Sequence, residues 1–101
     1  MAEVTVEDRS GGTYTVVVTD GAVKTIHTVR VPAGLAGRLG GAGVPAADLV
    51  RASFAFLLER EPSTSILRDF SLEQIGHYFP DYPEKMRKML ATGVGGDAGA
   101  V

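Results

Sequence analysis

The sequence predicts an α+β fold: an N-terminal three-stranded antiparallel meander packed on a C-terminal layer of one long and two to three short helices. Two observations carry this. β-Branched residues crowd the first third of the chain, in residues 13–19 (TYTVVVT) and 23–31 (VKTIHTVRV). From Pro45 onward the apolar spacing changes from two residues to about 3.6. The length of 101 residues fits one domain. We place it over residues 1–92 and read 93–101, with four Gly and one charge, as a flexible tail with little to bury.

The first strand covers residues 3–7, where Val4 and Val6 share one side. Ser10-Gly11-Gly12 supplies the turn into the second strand. Asp20-Gly21 is a preferred pair for a two-residue type I′ hairpin loop, since both central residues need positive φ. That loop sets Val18 opposite Val23, Val16 opposite Thr25 and Tyr14 opposite His27. One face then carries Tyr14, Val16, Val18, Val23, Thr25, His27, Val29 and Val31, and meets the core. The other carries Thr13, Thr15, Val17, Lys24, Ile26, Thr28 and Arg30. Pro32 ends the third strand, because it cannot donate to a ladder. Residues 33–39 form a short helical turn presenting Leu35 and Leu39, and the glycines of 40–43 break it.

Pro45 suits a helix start, and residues up to about Arg60 contain no Gly. At 100° per residue, Ala46, Leu49, Val50, Ser53, Phe54, Phe56 and Leu57 share a broad face, which Ala52 and Leu58 extend. The apolar arc is roughly 240° wide, against the ≳100° stripe of an ordinary surface helix. One three-stranded sheet shields one side of such a helix. After Pro62, Ser63 or Thr64 caps a short helix carrying Ile66, Leu67 and Phe70. Ser71-Leu72-Glu73-Gln74 fits a capping box, with Phe70 and Ile75 as its hydrophobic staple. That helix runs to about Phe79. Pro83 opens a last helix whose Met86, Met89 and Leu90 share a face.

The function classes follow from what converges. Ten Lys and Arg against twelve Asp and Glu argue against nucleic acid held by a cationic field. Cysteine is absent, so thiolate metal sites, disulfides and Cys nucleophiles are excluded. His27 on a strand and His77 on a helix have no local partner residues, and no hydrolase, zincin, P-loop or EF-hand spacing occurs. We expect no enzyme, no catalytic or metal-binding residue and no cofactor. The longest apolar stretch, 54–58, is far too short to span a bilayer, and residues 1–10 lack the pattern of a signal peptide. A cytoplasmic location away from membranes is the expectation.

Two readings remain. The first is a non-catalytic interaction or regulatory module that self-associates, most simply as a homodimer, with a further protein partner also in view. Its candidate interface residues are Phe54 and Phe56 on the flanks of the long helix, and Tyr78, Phe79 and Tyr82 in an aromatic–proline segment. The bland alternatives are that later helices cover the second flank and that the aromatics pin a turn onto the domain's own core. The second reading is a dimeric DNA-binding regulator with a helix-turn-helix-like element at 64–79. Its second helix carries Glu73 and no Lys or Arg.

Residues 53–82 resemble a family of small bacterial proteins with no assigned activity, marked by R-E-P-x-x-S-I-L and then F-x-L-x-x-I-x-x-Y-F-P. The matching residues are Arg60, Glu61, Pro62, Ser65, Ile66, Leu67, Phe70, Leu72, Ile75, Tyr78, Phe79 and Pro80. The resemblance implies no functional residue.

Overall fold

The computed structural model describes residues 2–41 and 43–91, so the tail expected at 93–101 lies outside the described residues. Strands β1 (Ala2–Asp8), β2 (Thr13–Asp20) and β3 (Val23–Arg30) form the expected antiparallel meander. Helices α1 (Leu35–Gly40), α2 (Ala46–Leu58), α3 (Ile75–Tyr78) and α4 (Tyr82–Ala91) follow. The α+β class is as the residue patterns predict.

Faces match the sequence reading, but the hairpin register does not. Asp20 pairs with Val23, Val18 with Thr25, Val16 with His27 and Tyr14 with Val29. The two-residue loop is therefore Gly21-Ala22, with Gly21 at φ +63°. A positive φ at the first loop position alone is the type II′ requirement, which glycine meets there. The slip is two residues, so every side chain keeps its face. Tyr14, Val16, Val18, Thr25, His27 and Val29 are buried, while Val23 is exposed at the hairpin end.

A fourth strand, β4 (Asp69–Ser71), pairs parallel with β3, Val29 opposite Phe70. It replaces the helix expected over residues 63–70, where only a 3₁₀ turn forms at Ser63–Ser65. The reason is the free edge of β3. The Thr28 N–H donates to the Arg68 carbonyl at 2.7 Å, and pairing places Phe70 in the core. The helix-turn-helix-like element at 64–79 therefore has no first helix. Its second half is a 3₁₀ turn, Leu72–Gln74, running into the short α3. The capping box is present: the Ser71 N–H donates to Gln74 Oε1 at 2.9 Å, and Ser71 Oγ accepts from the Glu73 N–H.

The wide apolar arc of α2 is enclosed from two sides. The inner sheet face takes one flank; α4 and α1 pack around the rest. Leu49, Val50, Ala52, Phe54, Phe56 and Leu57 are all buried. Ser53 is buried where α2 meets α4. Its hydroxyl donates to the Leu49 carbonyl at 2.7 Å and accepts from the Tyr82 hydroxyl at 2.7 Å. Burial pushes the Tyr82 phenol up to about 12, so it stays a donor; the Ser53 bond partly offsets this.

Candidate functional site

A groove opens where the C-terminal end of α2, the connection to β4, and α3 come together. Its volume is about 290 Å³. Leu57, Ile66, Phe70 and Ile75 form its apolar floor, all buried. Leu67 and Tyr78 stand at its rim, 48% and 66% exposed, with half-buried Phe79 beside them. Polar groups are few: Glu61, Ser65 and Gln74. Glu61 is the one charged side chain in the lining. Ligand pockets have this character, a mostly apolar lining with a few polar groups that orient the occupant.

Each wall is held from behind. Phe70 is fixed by β4, Gln74 by the capping box and Ile75 by its helix. Leu67 is fixed by a buried histidine: the His27 Nδ1–H donates to the Leu67 carbonyl at 2.8 Å. Its Nε2 then accepts from the Thr25 hydroxyl at 2.9 Å, and its ring lies 5.3 Å from that of Phe54. Burial lowers the His27 pKa. The Leu67 carbonyl opposes the shift and nearby Arg68 adds to it. On the other wall the Arg60 guanidinium lies 3.8 Å from the Phe56 ring centroid and 5.7 Å from that of Phe79, and pairs with Asp81 at 2.9 Å. A rim of exposed apolar side chains is thus carried on a braced frame.

The five candidate interface residues divide. Phe54, Phe56 and Tyr82 are 0%, 1% and 2% exposed within a single protomer. They are interior residues, which corrects the sequence reading. A broad apolar arc on α2 required a second covering layer, and α4 supplies it with Tyr82 and Met86, both buried. The circumference of α2 is therefore no argument for a dimer. Tyr78 and Phe79 do reach an accessible surface, and the fold brings both to the groove. The sequence reading missed Glu61, Ser65, Ile66 and Leu67 as site residues. All lining residues except Leu57 and Gln74 are matched positions of the R-E-P-x-x-S-I-L and F-x-L-x-x-I-x-x-Y-F-P patterns noted in the sequence.

Of the two histidines, His27 is sealed in the core and His77 is exposed. Among the described residues, no group of three His, Cys, Asp or Glu side chains is placed to hold a metal ion. No helix among them is long and apolar enough to cross a membrane. Searches against family models, curated proteins and solved structures find no match to the chain.

Proposed function

We propose that the protein is a non-catalytic, cytoplasmic interaction module, and that the groove beside α3 takes apolar side chains from a protein partner. The carrying observation is the pairing of Leu67 and Tyr78, large apolar groups held exposed at the mouth of a ready-made apolar cleft. Exposing them costs hydration free energy, which an occupant recovers. Charge selects the occupant further. Glu61 lines the groove and no Lys or Arg does, so the matching segment presents adjacent large apolar residues next to a cation.

Selection of a random-peptide display library on the folded chain tests this. Enriched peptides should combine bulky apolar residues with Lys or Arg, and should lose binding to Leu67→Glu. The reading fails if nothing is enriched, or if enriched peptides bind wild type and Leu67→Glu equally.

A further inference from the structure

The helices cover one face of the sheet and leave the other to solvent. On that open face Glu3, Thr5, Glu7, Lys24, Ile26 and Arg30 are exposed, and Ile26 is a large apolar residue 53% exposed. The register arranges these side chains in rows. Glu3, Thr19 and Lys24 lie in one row, and Thr5, Val17 and Ile26 in the next. Glu7, Thr15, Thr28 and Asp69 form the third. Read by column, β1 carries acids, β3 carries bases, and β2 between them carries only Thr and Val.

Such a face is complementary to itself in one orientation. A two-fold axis along β2, lying between two stacked sheets, superposes β1 of each copy on β3 of the other. Glu3 then faces Lys24 across the interface twice, Ile26 faces Thr5 twice, and Val17 meets its own copy on the axis. Stacked sheets lie ≈10 Å apart, a gap that interdigitated Thr, Val and Ile side chains fill. A two-fold axis perpendicular to the strands, centred on the Thr5–Val17–Ile26 row, would instead set Glu3 on Glu7 and leave Lys24 facing Thr28. Pairing of two β1 edges centred on Thr5 would likewise place Glu3 opposite Glu7 of the other copy, which is unfavourable. At the far end the charges are already balanced within each protomer, Arg9 with Glu7 at 3.0 Å and Arg30 with Asp69 at 2.5 Å. Among the described residues, Glu3 and Lys24 have no ion-pair partner of their own.

We propose that the open sheet face binds a second copy of this chain about that axis, each Glu3 meeting Lys24 of the other copy, and that the groove of each protomer stays free for its partner. This assigns the self-association expected from the sequence to a surface remote from α2.

Sedimentation equilibrium of wild type, Glu3→Lys, Lys24→Glu and the double variant tests the proposal. Circular dichroism confirms that each is folded. Each single reversal turns two attractive contacts repulsive and should weaken the dimer on the order of ten-fold; the double reversal should restore most of the loss. Added salt should weaken the wild-type dimer. Leu67→Glu should leave it unchanged. The proposal is overturned by a monomer at every concentration, by single variants that dimerise like wild type, or by a double variant no tighter than the singles. A dimer lost in Leu67→Glu also overturns it, assigning self-association to the groove. Loss of peptide binding in Leu67→Glu with an intact dimer separates this proposal from the groove reading.

Discussion

Truncating Phe56 tests whether the second flank of α2 is interior. The ring sits edge-on to Phe79 at 5.7 Å and to Tyr82 at 5.4 Å, under the Arg60 guanidinium at 3.8 Å. A buried Phe→Ala change costs ~3–5 kcal/mol. Two aromatic pairs and a cation–π contact put Phe56→Ala toward the upper end of that range. A domain of this size has ~5–15 kcal/mol in total, so Phe56→Leu is the safer probe. It keeps most of the apolar contact and loses the ring-specific contacts, ~1–2 kcal/mol. Urea unfolding followed by circular dichroism should show the midpoint fall by roughly 1 M at unchanged slope, with the same difference from wild type at each protein concentration. Phe56→Asp should fail to fold. A folded Phe56→Asp protein, or a Phe56→Leu midpoint that does not move, would refute the enclosure of α2 by α4.

Other consequences are as specific. His27 titrates below its ordinary value in the folded chain, so the unfolded chain takes up the proton first as pH falls. Its contribution is therefore fully present above about pH 6.5 and is lost as pH drops toward the folded value. Urea midpoints across pH 7.5 to 5 should show this decline, and His27→Gln should flatten that part of the profile. Ser71→Ala removes the cap of the 3₁₀–α3 segment and should cost ~1 kcal/mol, read from the same midpoints. Gly12 has φ +82° and an added Cβ would lie 3.1 Å from the Val31 carbonyl oxygen, whereas at Gly11, φ +66°, it would meet nothing within 4 Å. Thermal unfolding should therefore show Gly12→Ala more destabilised than Gly11→Ala, by ~1–3 kcal/mol against about 1.

The strands and their faces were legible because alternation with period two survives a two-residue register slip. The slip itself was not, since Asp20-Gly21 and Gly21-Ala22 both offer glycine to the loop and differ only in which turn type wins. The strand β4 is three residues long and parallel, too short for any periodic signal, and what makes it a strand is the unpaired edge of β3 some forty positions upstream. Local pattern likewise exposed the capping box, whose partners are three residues apart. It could not say where the cover for α2 would come from, because Tyr82 and Met86 reach Ser53 only after the chain reverses. The groove is tertiary in the same sense. Leu57, Ile66, Phe70 and Ile75 come from four successive segments, and only Tyr78 and Phe79 announced themselves as a local aromatic cluster.

An ¹H–¹⁵N correlation titration with phenethylamine, an aryl ring joined to an ammonium, puts the binding surface to trial with a defined ligand. At nine heavy atoms its affinity should be about millimolar. Saturable shifts confined to the amides of residues 65–70 and 74–79, and abolished in Leu67→Glu, are the predicted result. Shifts that fail to saturate, or that saturate elsewhere and persist in Leu67→Glu, would contradict a binding groove beside α3.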